Sequence, residues 1–193
     1  TTARRFFDEM EAGGERAVTE QDRVLYALCR PERLLDLVRR FTVFDGGVRK
    51  VARHQQYFGI KLAVERVKQV DIEGVRKGGV IWHTQGSGKS LTMVMLGRAL
   101  ALDRAITNPR IVIVTDRDDL DKQIKGTFKS CDMDPVRATS GSDLLSLIRA
   151  RTPLITTIIN KFDTALRHGD VPDEDANLFV LIDESHRTQT GRY

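Results

Sequence analysis

The sequence predicts an α/β domain, a doubly wound parallel sheet preceded by a helical linker segment, and three observations carry that expectation. Four short apolar runs rich in β-branched residues, at 79–84, 110–115, 154–159 and 178–183, alternate with segments of helical periodicity. The first run passes directly into a Gly-rich loop followed by a strong helix. The last ends on two adjacent carboxylates. Runs buried on both faces belong to a parallel sheet, and ligands of such sheets bind at the C-terminal ends of the strands.

In chain order, residues 1–21 are polar and contain Gly13-Gly14, which predicts helix, turn and linker. Pro31 opens a helix whose apolar stripe, Leu34, Leu37/Val38 and Phe41, stops at Asp45-Gly46-Gly47. A second amphipathic helix starts near Arg53, buries Ile60, Ala63/Val64 and Val67, and fades before Gly74. Helical segments follow at 90–102, 120–128 and 142–150, with a weaker strand at 135–138. The expected division is a helical docking segment over 1–52 and an α/β lobe over 53–193. With no initiator Met, the chain is expected to be a piece of a longer one.

Composition narrows the class. Hydrophobic content of 40% and charged content of 30% are ordinary for a globular domain. No run approaches the ~18 apolar residues that span a bilayer. Cys29 and Cys131 are too few and too far apart for a metal knuckle or a disulfide framework, which fits a reducing compartment and a cytoplasmic protein. The net charge of +4 arises entirely within residues 1–78, where Arg39, Arg40, Arg49, Lys50 and Arg53 form a basic patch suited to phosphate backbones or to a solvated helix face.

The run at 79–84 leads into Gln85-Gly86-Ser87-Gly88-Lys89-Ser90, the strand–loop–helix context of a phosphate-binding loop. Gly86 and Gly88 admit backbone angles closed to other residues, so successive amides can turn inward around an anion at a helix N-terminus. Lys89 then reaches the β- and γ-phosphates of ATP, and Ser90 offers its hydroxyl to Mg²⁺. One position departs from the consensus: His83 stands where a glycine is expected, five residues before Gly88.

Asp183 and Glu184 supply what the loop lacks. Asp183 is expected to hold Mg²⁺ through a water, and Glu184 to orient the water that attacks the γ-phosphate. His186 senses the nucleotide or merely packs. Trp82 is assigned to the core rather than to base stacking, and Tyr57 and Phe58, which could flank adenine, to packing of the helix. No zinc spacing or nuclease motif is evident, so cleavage chemistry is expected to lie outside these residues.

At this point the chain resembles the superfamily 2 nucleic-acid motors and their RecA-like first lobe. More narrowly, it resembles the motor (restriction) subunit of type I restriction-modification enzymes. The stretches that carry this are 31–37, Trp82-His83-Thr84-Gln85-Gly86-Ser87-Gly88-Lys89-Ser90, Thr156-Thr157-Ile158-Ile159-Asn160-Lys161-Phe162 and Asp183-Glu184-Ser185-His186-Arg187. His83 is typical of that family, whereas Ser185 replaces its common Ala. The resemblance implies that Gln56, within Arg53-His54-Gln55-Gln56, reads adenine, and that 113–120 lines a nucleic-acid path. Thr115, Arg117, Thr156 and Thr157, where loops leave strands, are then placed to contact DNA phosphates or to cap those loops.

The same resemblance implies duplex DNA, a specificity subunit and methyltransferase subunits as partners, with a nuclease domain and a second RecA-like lobe elsewhere in the parent chain. The alternatives are another helicase or remodeller of the superfamily, or an ATP-dependent switch. In this superfamily the arginine finger comes from the second lobe, and without it the charge on the γ-phosphate goes uncompensated. Residues 1–193 alone are therefore expected to bind MgATP weakly and to hydrolyse it slowly or not at all. Robust steady-state turnover by this chain on its own would refute that.

Overall fold

The computed structural model describes residues 2–13, 17–84, 86–168 and 175–183. At its centre lies β3 (Arg110–Thr115), all six residues of which are buried. It pairs in parallel with β5 (Leu154–Ile158) on one side and β6 (Leu178–Ile182) on the other, while β4 (Val136–Arg137) adds to the far edge of β5. The order is β4-β5-β3-β6. Parallel neighbours need a crossover, and helices supply it on both faces.

Side chains alternate along a strand, so β3 feeds two cores. Ile111 and Ile113 join Met95, Leu100, Ile124 and Phe128 from α5 (Lys89–Ala101) and α6 (Asp118–Ser130). Val112 and Val114 join Leu144 and Ala165 from α7 (Gly141–Arg149) and α8 (Ile159–His168) on the opposite face. This is the doubly wound sheet expected from the alternation of apolar runs. Ser140 starts α7 by accepting a hydrogen bond from the Asp143 amide, which satisfies one of the donors a helix N-terminus leaves open.

The N-terminal segment holds α1 (Thr2–Gly13), α2 (Glu20–Leu28) and α3 (Pro31–Arg40), with Pro31 in the first turn of α3. It also contains an antiparallel hairpin that the apolar periodicity does not announce, β1 (Thr42–Asp45) and β2 (Val48–Val51). Asp45-Gly46-Gly47 stops the helical stripe by turning a hairpin: Gly46 has φ 58° and Gly47 φ 81°, the left-handed pair that a two-residue loop of this hand requires. Leu37, Phe41, Val43 and Ala52 are buried in the same core as α5, and Arg98 of α5 donates to the Thr42 carbonyl at 2.9 Å. Next comes α4 (His54–Lys68), which packs Tyr57, Ile60 and Val64 into that core.

The structure corrects one expected strand. Residues 79–84 are not hydrogen-bonded into the sheet, although they run alongside β6 across an apolar groove of about 670 Å³ floored by Leu96 and Leu100. The stretch is tethered to α4 instead: Arg66 donates to the Gly78 carbonyl at 2.5 Å, and the Lys77 amide to the Gln69 carbonyl at 3.0 Å. Val80 is therefore 84% exposed and Trp82 87%, which overturns the core role assigned to Trp82. For the same reason β6 is an edge strand among the described residues, and Val180 and Ile182 are exposed.

Among the described glycines, Gly141 at the start of α7 lies closest to a neighbouring helix, α8. A Cβ added to Gly141 would lie 2.9 Å from Thr164 Cγ2 and 3.0 Å from the Ala165 backbone nitrogen. Backbone cannot swing aside, so Gly141→Ala is expected to destabilise the protein by about 1–3 kcal/mol, as overpacking typically does. Denaturant unfolding measures it, and an unchanged midpoint would contradict this packing.

Candidate nucleotide-binding site

The phosphate loop forms at the N-terminus of α5. Gly86 has φ 74° and Gly88 has φ 86° with ψ 37°, so both occupy the left-handed region their lack of a side chain permits. Gly88 is the N-cap of α5, and Lys89 and Ser90 open the helix, where backbone amides and the helix dipole favour an anion. The Ser87 amide donates to the Thr84 carbonyl at 3.2 Å, closing a tight turn over 84–87.

Strand β6 delivers Asp183 to the same place. Its amide donates to the Val114 carbonyl at 2.8 Å, continuing the ladder of β3 by one residue. Its carboxylate then meets the Lys89 ammonium, Oδ1 to Nζ at 2.7 Å, with side-chain exposures of 4% for Asp183 and 37% for Lys89. The loop and the end of β6, about a hundred residues apart in sequence, thus meet. These groups are of the kind that could hold MgATP: left-handed glycines, an ammonium, the Ser90 hydroxyl at the helix start and a buried carboxylate.

Gln56, expected at the base, is bound to the loop itself. Its Oε1 accepts from the Arg53 amide at 2.9 Å, capping α4, while Nε2 donates to Thr92 Oγ1 at 2.9 Å and to the Gly88 carbonyl at 3.4 Å. A cleft of about 390 Å³ opens beside it, lined by Arg53, Gln55, His83, Thr84 and Ser87 among others, a volume within the usual range for small-molecule sites. Thr92 is the residue sequence reasoning missed. Buried at one turn beyond Gly88, it donates to the Gly88 carbonyl at 3.1 Å and accepts from Gln56. Its only signal was a hydroxyl on an otherwise apolar face of α5.

Three of the four residues assigned to DNA contacts or to loop capping, Thr115, Thr156 and Thr157, are buried within the sheet. Thr115 Oγ1 donates to the Arg117 carbonyl at 3.4 Å, as a loop cap would, and to the Thr157 carbonyl at 3.4 Å. A hydroxyl so placed cannot reach a phosphate without displacing the strand ends. Arg117 alone is accessible, beside Asp116 at 3.5 Å. Gln85, Glu184 and His186 lie outside the described residues. Tyr57 packs as expected, edge-on against Phe41 and donating to Asp36, and burial pushes its hydroxyl up to about 12. Lys161 and Phe162 acquire structural roles: Lys161 donates to the Ala138 carbonyl at 3.2 Å, and Phe162 packs against the core beneath α7.

With this geometry in hand, comparison with known proteins fixes the family. Residues 55–193, which contain the whole loop and Asp183, match the SWI2/SNF2 ATPase family. The chain belongs to that family. This SWI2/SNF2 lobe is 35% identical over 98% of its length to the HindI type I restriction enzyme endonuclease subunit of Haemophilus influenzae, of which it spans 18%. It is 30% identical over 90% of its length to a protein of Methanocaldococcus jannaschii provisionally named the MjaIXP type I restriction enzyme endonuclease subunit, of which it spans 17%. A Mycoplasma pneumoniae protein, provisionally named the C-terminal part of the MpnIIP type I restriction enzyme endonuclease subunit, is 30% identical over 82% of the chain, and 83% of that protein is covered. The RecA-like lobe is thus of the kind found in type I restriction subunits. No helix among its described residues is long and apolar enough to cross a membrane.

His83 of this SWI2/SNF2 lobe titrates below an ordinary histidine, first because it is partly buried and second because the Lys89 ammonium opposes a second positive charge. A lowered pKa means that the unfolded chain binds the proton more readily. The stabilisation is therefore complete above the ordinary value of ~6.5 and is lost as pH falls through the folded value. NMR titration of the His83 ring should give a midpoint below ~6.5 that rises in Lys89→Ala. A midpoint unmoved by removal of Lys89 would contradict their electrostatic contact.

Proposed function

We propose that this chain is the ATP-binding lobe of a duplex-DNA translocase, the motor of a type I restriction enzyme's endonuclease subunit. The observation that carries the reading is the meeting of the phosphate loop with the end of β6, where Lys89 Nζ and Asp183 Oδ1 stand 2.7 Å apart. Lys89 would hold the β- and γ-phosphates, the amides at the start of α5 would line the anion, and Ser90 and a water on Asp183 would hold Mg²⁺. The metal would offset phosphate charge. Glu184, next in sequence to Asp183, would orient the attacking water, and His186 would report the nucleotide's state. Gln56 and Gln85 would border the base and the loop.

The partner chemistry follows from the relatives, whose names describe endonuclease subunits of type I restriction enzymes. On this reading the lobe works on duplex DNA in the cytoplasm, beside a second RecA-like lobe and a nuclease domain of the same parent chain, with specificity and methyltransferase subunits anchoring the complex. Arg117 remains the candidate phosphate contact among the four first assigned.

Displacement of a third strand from a blunt duplex by the full-length protein with its partner subunits tests the reading. The wild type should displace it in an ATP-dependent way without parting the duplex. Lys89→Ala should abolish displacement and lower ATP turnover by about 100-fold or more, in line with removal of a single charge-stabilising donor. ATP hydrolysis by the wild type with no displacement would sink the translocase reading and leave an ATP-dependent switch.

A further inference from the structure

His83 occupies the position at which a phosphate-binding loop ordinarily has a glycine, and the structure gives its ring a partner. His83 Nδ1 lies 3.0 Å from Ser87 Oγ. The same serine gives its amide to the Thr84 carbonyl at 3.2 Å. Both the backbone and the side chain of residue 87 are therefore tied back to the residues that enter the loop, 83 and 84. A glycine at 83 would supply only the backbone tie.

Position and ionisation suit this bond. The His83 ring borders the 390 Å³ cleft beside Gln56 and also a groove of about 310 Å³ that contains Lys89 and Thr92. Partial burial and the nearby ammonium both favour the neutral imidazole. A neutral ring has one acceptor nitrogen, and Nδ1 in that role accepts a hydrogen bond from the Ser87 hydroxyl. Residues 79–84 make no ladder bonds to the sheet, so the His83 clasp adds a side-chain tie to the Ser87–Thr84 backbone bond at the end of that stretch.

We propose that His83 is a positioning residue of the nucleotide site: by holding the Ser87 hydroxyl it fixes Ser87 where the phosphate loop receives the triphosphate. The proposal rests on the nucleotide-binding reading above. It assigns to the His83–Ser87 pair the loop ordering that the consensus glycine leaves to the backbone.

The test is a double-mutant cycle in the full-length protein, reading the Kd of the fluorescent analogue mant-ATP with Mg²⁺ for wild type, His83→Ala, Ser87→Ala and the double variant. Circular dichroism would establish that each remains folded. One hydrogen bond of ordinary strength corresponds to about a fivefold loss, so each single variant should weaken binding by about fivefold. The double variant should also lose about fivefold, because the two residues act through one bond. His83→Asn, whose side-chain oxygen sits near the place of Nδ1, should restore binding to within about twofold of wild type.

Losses that multiply to about 25-fold in the double variant, or a His83→Ala variant that binds as wild type does, would overturn the proposal. If His83→Ala does not fold, the Asn variant decides: a fivefold loss there counts against the clasp and wild-type binding supports it. Lys89→Ala separates this from the underlying reading. Wild-type binding that survives Lys89→Ala unchanged would overturn the nucleotide site and the His83 role together, whereas binding lost in Lys89→Ala but unaffected in His83→Ala would overturn the His83 role alone.

Discussion

Six consecutive residues, Arg110–Thr115, are withdrawn from water, and their backbone donors and acceptors have to be satisfied by neighbouring strands. That requirement positions β5 and β6, one on each side, in the register Ile111↔Leu154 and Ile111↔Phe179. Because β3 is apolar on both faces, it also requires a helix layer above and below. The helices that answer it are the ones whose ends and connecting loops build the site. Asp183 is where it is because its amide takes the next carbonyl of this ladder, that of Val114. The phosphate loop is where it is because α5 must bury Met95 and Leu100 against Ile111 and Ile113.

How far this could be read from the sequence follows from the same physics. β3, β5 and β6 were legible because short runs dominated by apolar and β-branched residues favour strands. Residues 79–84 gave the same signal and are not bonded into the sheet, since a run's composition does not reveal a competing tether such as the Arg66 bond to Gly78. The hairpin of β1 and β2 was illegible for the opposite reason: its strands are four residues long, and Phe44, Val48 and Val51 are exposed, so no periodicity marks them. Gly46-Gly47 announced a break without saying what lay beyond it.

The site divides in a similar way. Gly86, Gly88, Lys89 and Ser90 were legible because the left-handed backbone and helix-start chemistry demand those residue types at that spacing. The hydroxyls of Thr115, Thr156 and Thr157 were assigned to a ligand because they end strands, yet a strand end can be either mouth or floor of a site, and these are floor. Gln56 shows a further limit. Sequence suggests which side chain points toward a site, whereas its partners, Arg53, Thr92 and Gly88, come from three separate elements that meet only after folding.

The Lys89–Asp183 pair explains why phosphate and metal should bind together. An ion pair with one partner well exposed adds little stability, and here the ammonium is 37% exposed. The carboxylate, at 4%, is another matter, because a buried charge stripped of its partner is costly. A phosphate that drew Lys89 away alone would leave Asp183 uncompensated, and a cation that displaced Lys89 alone would leave an ammonium without its counter-charge. If a metal–nucleotide complex bound as proposed, phosphate oxygens would take the Lys89 ammonium and a metal-bound water would take the Asp183 carboxylate. On the proposed reading, the pair would favour a metal–nucleotide complex over either component. Such a preference would arise where the β6 edge meets the start of α5, which brings a helix-borne ammonium and a strand-borne carboxylate together.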